Sequence, residues 1–262
     1  MHSIMKSISK IVFSLFFFVD FTSAMEIKDL SQAVDVAGKQ RMFTQRMLKD
    51  YAMVGMENSF DNPKKDLDNI VAAFEDHLES LIRFNKDEAT KISLDKVRVL
   101  WNPIKKLLED KPVREKAGEM QEALEVLLGQ ANEATGLFAK QTGKESGEII
   151  NISGRQRMLS QRMASLYMLK TWGISDPKFT EKMNKTMDLF SKSQDRLASY
   201  SGNTPETLEL LHKAARAFIY FEYMKDTDTH VPALLYKKSM EILKNMNIAT
   251  GLYAKIGAKE SK

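Results

Sequence analysis

A glycine, an arginine and a glutamine recur at fixed spacing in two copies of one peptide. The first copy, AGKQRMFTQRM, spans 37–47, and the second, SGRQRMLSQRM, spans 153–163. On a helix that turns by about 100° per residue, the glycine, the first arginine and the second glutamine of each copy share one stripe. The candidate binding residues are therefore Gly38, Arg41 and Gln45 in the first copy and Gly154, Arg157 and Gln161 in the second.

The chemistry that this stripe favours is the binding of a small anion. Its ends are apolar in both copies, with Val34 and Leu48 in the first and Ile150 and Ala164 in the second, so the stripe is expected to face inward. A guanidinium buried there costs free energy unless a negative or hydrogen-bonding group meets it. The glycine one turn earlier leaves space for such a group, and the guanidinium fork can donate two parallel hydrogen bonds to a planar oxyanion. The alternative is that a carboxylate of a neighbouring helix neutralises the arginine and that the glycine only permits close helix packing.

The second arginine of each copy does not belong to this stripe. Arg46 and Arg162 lie about 140° around the helix from the first arginines. We therefore expect them to make contacts between modules or between subunits.

A second peptide is also written twice. NEATGLFAK, which begins at Asn132, returns as NIATGLYAK, which begins at Asn247. These asparagines could line the same pocket as the arginines. The interpretation that we prefer is that Gly136 and Gly251, each near an aromatic residue, allow helices to pack closely.

The two repeated peptides indicate a duplicated module, and so long a period is typical of tandem domains rather than of a solenoid. Apolar residues recur three and four apart almost throughout, and no stretch alternates long enough to predict a strand. We therefore expect an all-α chain of two tandem up-down four-helix bundle modules. The predicted helices span about 27–57, 63–85, 89–109 and 113–141, and then about 148–172, 177–200, 205–226 and 232–257.

Prolines mark several of the expected helix starts, because proline is tolerated at the first helical position and a preceding Asp or Thr can cap the helix. Such starts are expected at Pro63, Pro112, Asp176-Pro177 and Thr204-Pro205. Pro103 lies inside the third predicted helix and is expected to kink or split it.

The N-terminus has the layout of a secretory signal peptide over 1–24. Lys6 and Lys10 precede a short apolar run, and small residues that end at Ala24 form a cleavage site. The run is shorter than the roughly 20 residues that span a bilayer, so a retained membrane anchor is the less favoured alternative. We expect the mature protein to begin at Met25 and to be exported to a bacterial periplasm.

The first module is then expected at 25–142 and the second at 143–262. The segment 141–147 joins them, and its two glycines disfavour a helix by about 1 kcal/mol each relative to alanine. We expect a break there, and a bent continuous helix is the alternative.

Composition narrows the function classes. The 39 basic and 35 acidic residues leave a net charge of only +4 and are mixed along the chain, which argues against nucleic-acid binding. The absence of cysteine excludes disulfides, zinc-thiolate sites and thiol nucleophiles. His77, His212 and His230 are isolated, so neither a metal nor a haem cofactor is expected. No paired carboxylates, serine-histidine arrangement or phosphate loop is present, so an enzyme is not expected.

The pattern Gly-x-Gln-Arg-Met-x-x-Gln-Arg-Met resembles the signature of the PilJ-type sensor domain, found at the N-terminus of type IV pilus methyl-accepting chemotaxis transducers. It is also similar to the ligand-binding box of the NarX/NarQ nitrate and nitrite sensor kinases. As two copies, the resemblance covers essentially the whole mature chain. It implies a four-helix bundle that dimerises, with an arginine from the first helix of each subunit gripping one anion. Arg41 and Arg157 align with that arginine, and Gly38 and Gly154 align with the preceding glycine.

Two departures from the family pattern affect what the resemblance implies. The first copy differs from the usual transducer pattern at Lys39, Phe43 and Thr44, which would alter specificity without removing the arginine. No transmembrane pair, HAMP linker, kinase or methyl-accepting rod follows in this sequence. We therefore expect a membrane-bound chemoreceptor or sensor kinase to act as the signalling partner.

The junction decides how the two arginines relate. If 141–147 turns the chain back, the modules pair as an internal pseudo-dimer, and Arg41 and Arg157 can close on one anion. If it stays helical, the bundles stack end to end and a shared site needs a second chain in a homodimer. The expected function is an exported sensory protein that captures a small nitrate- or nitrite-like oxyanion. The alternative is a non-enzymatic helical adaptor whose arginines form buried ion pairs.

Overall fold

The computed structural model describes residues 25–225, 227 and 229–260, which form eight α-helices and one short 3₁₀ turn at Arg114–Lys116, with no β-strand. The first four helices are α1 (Leu30–Gly55), α2 (Pro63–Phe84), α3 (Glu88–Glu109) and α4 (Ala117–Gln141). The next four are α5 (Glu145–Thr171), α6 (Phe179–Ala198), α7 (Pro205–Met224) and α8 (Pro232–Glu260). The prediction of an all-α chain built from two four-helix bundle modules is confirmed. The predicted signal peptide at 1–24 lies outside the described residues.

Two of the predicted helix starts are found where proline and a capping side chain coincide. Pro63 opens α2, and the side chain of Asn62 accepts a hydrogen bond from the backbone of the first turn. Pro205 opens α7, and Thr204 caps it in a reciprocal capping box. Local side-chain chemistry therefore fixes these two boundaries.

Two other predicted starts are wrong. α4 begins at Ala117 rather than at Pro112, because the short 3₁₀ turn precedes it. α6 begins at Phe179 rather than at the expected proline. There the Asp176 carboxylate accepts a hydrogen bond from the backbone N–H of Lys178 at 2.8 Å, which holds the chain in a turn before the helix.

α3 is not split by its internal proline. The helix continues through Pro103 to Glu109. Trp101 and Ile104, on either side of the proline, are both buried in the core, and their packing holds this part of the chain in the helix.

The two modules repeat one internal plan around their first helices. In the first module Gln40 of α1 donates a hydrogen bond to the backbone carbonyl of Phe74 in α2 at 2.9 Å. In the second module Gln156 of α5 donates to the carbonyl of Phe190 in α6 at 3.1 Å. α1 also packs against α4, and α5 against α8. The duplication read from the sequence thus extends to matching hydrogen bonds.

The chain turns back between the modules. The turn is confined to 142–144, and Gly143 has a φ of +63°, which glycine adopts without strain. α5 starts at Glu145 and runs antiparallel to α4, as the contact between Arg162 and Glu125 shows far from the turn. Of the two alternatives for this junction, the structure adopts the turn that folds the chain back.

As a result, α1 and α5 lie side by side and parallel at the centre of the molecule. Gly38 of α1 faces Gly154 of α5, and further along Gly55 lies against Trp172 at the end of α5. The two modules therefore pair around a pseudo-two-fold axis between α1 and α5. No described helix is long and apolar enough to cross a membrane.

Candidate functional site

The two repeated arginines meet between α1 and α5. The side chains of Arg41 and Arg157 are both 0 % exposed. A Cβ added at Gly38 would lie 3.0 Å from Arg157 Nη2 and 3.3 Å from Arg41 Nη2, and the same distances hold at Gly154. The paired glycines therefore leave the space in which the two guanidinium groups converge.

Arg157 of α5 reaches across to the first module. Its Nη1 donates to Asp35 Oδ1 at 2.7 Å and to Asn247 Oδ1 at 3.2 Å. Its Nη2 donates to the backbone carbonyl of Asp35 at 3.1 Å. The contact with Asp35 is an ion pair between a fully buried guanidinium and a carboxylate that is 14 % exposed, and it joins the two modules.

Arg41 makes the mirror-image set of contacts with the second module. Its Nη1 donates to Asn151 Oδ1 at 2.8 Å and to Asn132 Oδ1 at 2.9 Å, and its Nη2 donates to the backbone carbonyl of Asn151 at 3.0 Å. Asn151 thus takes the place that Asp35 has opposite Arg157. Among the described residues, no carboxylate forms an ion pair with Arg41.

The arginine pair therefore carries more positive charge than its surroundings compensate. Burial, together with the charges of Arg155 and Arg157, lowers the pKa of Arg41 to about 9, so that it remains protonated at neutral pH. Burial opposes ionisation of Asp35, but the charges of Arg157 and Lys39 outweigh it and lower the Asp35 pKa. Lys39 lies 3.1 Å from Asp35, so this single carboxylate serves two cations.

Each guanidinium also has one nitrogen atom without a hydrogen-bond partner. Arg41 Nε and Arg157 Nε are buried and have no hydrogen-bond partner. A buried donor without a partner costs about 1–3 kcal/mol, so such atoms mark a place where an acceptor would be favourable.

The predicted glutamines lie one turn beyond this pair and do not contact the guanidinium groups. Gln45 Oε1 accepts a hydrogen bond from Ser165 at 3.1 Å, and Gln161 Oε1 accepts one from Lys49 Nζ at 3.1 Å. Both bonds cross from one module to the other. The structure thus brings Gly38, Arg41, Gly154 and Arg157 together and places the glutamines in the adjoining part of the module interface.

The second arginines of the repeats have different roles. Arg162 pairs with Glu125 of α4 at 2.9 Å and so makes the expected contact between modules. Arg46 binds Asp66 of α2 at 2.8 Å within its own module, so the expectation of an intermodule contact is wrong for this residue. Its aspartate lies on the neighbouring helix of the same bundle.

The second repeated peptide contributes to the site through its asparagines. Asn132 and Asn247 accept hydrogen bonds from Arg41 and Arg157 respectively. The preferred interpretation of the glycines is wrong, because a Cβ added at Gly136 or Gly251 would meet no other atom within 4 Å. Neither glycine is needed for close packing.

Asp35 and Asn151 were missed as site residues. They occupy equivalent positions in the two copies, three residues before Gly38 and Gly154, on the first helix of each module. A polar residue at the same place in both repeats is the signal that could have identified them. Groups of three or more His, Asp or Glu residues able to hold a metal ion are not found among the described residues.

A surface cleft shares one residue with the arginine pair. It has a volume of about 370 Å³, lies at the turn between α4 and α5, and is lined by Asn151 together with Lys140, Lys144, Glu145 and Glu148. Asn151 therefore connects the buried guanidinium of Arg41 with an open cleft in which two lysines face two glutamates.

Comparison with known proteins gives one match. The family model PilJ, described as "Type IV pili methyl-accepting chemotaxis transducer N-term", matches residues 25–135 and 138–215. These segments include both copies of the arginine peptide and cover more than half of the chain. No curated protein and no solved structure matches significantly.

Proposed function

Because the chain belongs to the PilJ family of type IV pili methyl-accepting chemotaxis transducer N-terminal domains, we propose that it is a sensory protein that captures one small oxyanion between Arg41 and Arg157. Membership of this family supports a role in signal transduction and chemotaxis. The anion, the residues that bind it and the route of the signal are parts of the proposal.

The observation that carries the proposal is the uncompensated charge of Arg41. A fully buried guanidinium whose acceptors are only neutral amide and backbone oxygens is costly, because removing a charge from water without an opposite charge costs several kcal/mol. A small anion beside Arg41 would compensate that charge. It could also accept hydrogen bonds from the two unused Nε donors.

The geometry favours a single shared site over two separate ones. Both Nη2 atoms approach the same gap between Gly38 and Gly154, and each arginine contacts residues of the opposite module. An anion in this gap would therefore contact both modules at once. Such binding would couple occupancy to the way that α1 and α5 pair.

Nitrate and nitrite are the proposed ligands. Both are small planar oxyanions that match the guanidinium fork, and the arginine peptide is similar to the ligand-binding box of the NarX/NarQ kinases. The cleft that Asn151 lines brings solvent next to a residue that Arg41 contacts, and so offers an approach to the site. We propose that the protein is exported through the signal peptide at 1–24 and acts in the periplasm. There its bound state would be read by a membrane-bound chemoreceptor or sensor kinase.

Isothermal titration of the purified protein with nitrate, nitrite, sulfate and chloride tests the proposal. Arg41→Lys and Arg157→Lys keep the positive charge but remove the fork, so each single change is expected to weaken binding by about tenfold or more. Arg46→Lys and Arg162→Lys are the matched controls, because they alter the same residue type on the same helices outside the pair. Loss of binding from either single change in the pair would support one shared site.

A second candidate function is a non-enzymatic helical adaptor, and the ion pair of the buried Arg157 with Asp35 favours it. The adaptor hypothesis predicts that Arg157→Ala lowers the free energy of unfolding by about 3–5 kcal/mol, as breaking a buried pair does. It also predicts that no anion changes the melting temperature. If none of the four anions binds or stabilises the wild-type protein, the sensory proposal is wrong and the adaptor is preferred.

A further inference from the structure

A second cleft lies in the second module, between α6 and α7. Its volume is about 500 Å³, within the range of small-molecule sites. Its floor contains Phe190 and Phe218, whose rings stack at 4.5 Å with an angle of 17°. The cleft therefore combines an aromatic base with an opening to solvent.

The equivalent position in the first module, between α2 and α3, can be identified by aligning the two modules. The matching hydrogen bonds of Gln40 and Gln156 align Phe74 of α2 with Phe190 of α6. The aromatic pairs then align Trp101 of α3 with Phe218 of α7, since the ring of Phe74 lies 4.3 Å from that of Trp101. The duplicated chain thus provides an internal reference for the cleft.

In the first module, side chains of the protein fill the equivalent groove. Arg98 of α3 binds Glu75 at 3.1 Å and Glu79 at 2.6 Å, both on α2. Lys105, one turn beyond the tryptophan, binds Glu75 at 3.1 Å. Trp101 Nε1 also donates to Glu75 at 2.9 Å. The cationic groups of two side chains, the guanidinium of Arg98 and the ammonium of Lys105, are therefore held between α2 and α3 by acidic side chains.

In the second module both cations are missing, and of the two glutamates that bind them only Glu79 has an acidic counterpart, since Glu75 corresponds to Ser191. By the same alignment, Arg98 corresponds to Ala215 and Lys105 corresponds to Glu222. Glu79 corresponds to Asp195, which lines the cleft with Ala215 and Glu222. The cleft is therefore open because small or acidic residues replace the two cationic side chains.

The acidic side chains of this cleft have no cation of their own. Neither Asp195 nor Glu222 forms a side-chain hydrogen bond or an ion pair with any described residue. Arg216, which also lines the cleft, pairs instead with Glu209 at 3.6 Å. His212, the remaining titratable group at the rim, is equivalent to Asp95 of the first module and does not restore the missing cations.

We propose that the cleft between α6 and α7 binds a small organic cation, with an aliphatic stem over Phe190 and Phe218 and an ammonium or guanidinium group between Asp195 and Glu222. The ligand takes the place that Arg98 and Lys105 occupy in the first module. The rings offer an apolar surface to the stem, and the carboxylates accept charge-assisted hydrogen bonds from the cationic group. This site is separate from the proposed anion site, so the protein can respond to two kinds of ligand.

Titration of the purified protein with agmatine and with cadaverine tests this inference, since both are alkyl cations and agmatine carries a guanidinium group. Saturable binding of at least one of them is expected, and n-pentanol, which has no charge, is expected not to bind. The double variant Ala215→Arg/Glu222→Lys restores the cations of the first module and is expected to weaken binding by about tenfold or more. Arg41→Lys is expected to leave binding of the cation unchanged, which separates this test from that of the anion site.

Both altered positions of the double variant line an open cleft, so circular dichroism and thermal unfolding are expected to show an intact fold. The inference is overturned if neither amine binds the wild-type protein saturably, or if the double variant binds agmatine and cadaverine as tightly as the wild type does. Equal binding of n-pentanol would also overturn it, because the carboxylates would then have no role.

Discussion

At the residue scale, the difference between Asp35 and Asn151 determines the charge of the arginine pair. The two residues occupy equivalent positions and make equivalent hydrogen bonds to the arginine of the opposite module. One is a carboxylate and the other is a neutral amide. The duplication has thus left a nearly symmetric site with one unpaired buried charge.

Asn151→Asp tests whether that unpaired charge is the driving force for anion binding. The new carboxylate would lie where Asn151 Oδ1 now accepts a hydrogen bond from Arg41 at 2.8 Å. It would compensate the guanidinium and repel an incoming anion, so nitrate affinity measured by calorimetry is expected to fall by about tenfold or more. Asn203→Asp is the control, because Asn203 lies in the turn between α6 and α7 and bonds to neither arginine. Unchanged affinity in Asn151→Asp would contradict the assignment of Arg41 as an anion-binding residue.

His77 gives the protein a specific sensitivity to acid. Burial, reinforced by Lys39, lowers the pKa of His77 from 6.5 to about 4, and its Nδ1 has no partner. Between these two values the unfolded chain binds a proton that the folded protein does not. The contribution of neutral His77 to the free energy of unfolding is therefore fully present above about pH 6.5, and it decreases as the pH drops towards 4. The loss would be on the order of 3 kcal/mol, since one pKa unit corresponds to about 1.4 kcal/mol.

His77→Ser, which introduces the residue found at the equivalent position of the second module, is expected to flatten this pH dependence. Urea unfolding at several pH values between 4 and 7 measures it. The variant also loses the contact between His77 and Phe43, which lowers stability at every pH and leaves the slope as the informative quantity. An identical slope in variant and wild type would show that His77 is not the group responsible.

At the scale of the elements, helix positions were easier to predict than helix contacts. The period of apolar residues predicted all eight helices, because one face of each is buried; Leu78 of α2 and Leu197 of α6 are both fully buried. The errors at Pro112 and Pro177 arose where a 3₁₀ turn and an aspartate turn compete with the helix. Such local alternatives depend on side-chain geometry that spacing alone does not contain.

Gly38 and Gly154 face each other where α1 packs against α5, and Gly38→Ala tests their role. The added Cβ would lie 3.0 Å from Arg157 Nη2 and 3.8 Å from the Cα of Gly154. We expect a loss of about 1–3 kcal/mol in the free energy of unfolding, as in other overpacked sites, together with weaker nitrate binding.

Gly136→Ala is the matched control for this change. Gly136 also lies within a helix, but a Cβ there would meet no atom within 4 Å. It is expected to stabilise the protein by about 0.5–1 kcal/mol through the greater helix propensity of alanine. Equal effects of the two substitutions, measured by urea unfolding, would show that close packing of α1 on α5 is not what requires glycine at position 38.

At the scale of the whole molecule, the sequence left two arrangements open, and the turn at Gly143 decides between them. Its positive φ reverses the chain within a few residues and brings α5 against α1. Repeated arginines could suggest a shared site, but only this tertiary arrangement brings them together. The same pairing buries Lys49, whose Nζ lies 3.7 Å from the centre of the Tyr236 ring and whose pKa burial lowers to about 8. The position of Lys49 in the pattern of apolar and polar residues does not distinguish it from a lysine that is exposed to solvent.

The pseudo-two-fold pairing makes a prediction about the separated modules. If residues 25–142 are produced alone, the exposed face of α1 can pair with α1 of a second copy. Each Arg41 would then meet Asp35 of the other copy, as Arg157 meets Asp35 in the intact chain. Both guanidinium groups would be compensated, and we expect a homodimer at micromolar concentration in analytical ultracentrifugation.

Residues 143–262 provide the contrasting case, because the second module has Asn151 in place of the aspartate. In a homodimer of this module each Arg157 would meet only Asn151 of the other copy, and two buried guanidinium groups would lack a carboxylate. Since an uncompensated buried charge costs several kcal/mol, this module is expected to remain monomeric or to need nitrate for pairing. Asn151→Asp in the isolated second module should then restore dimerisation without nitrate. If the second module dimerises as tightly as the first in the absence of an anion, the charge of the arginine pair is not what controls the association of the two halves.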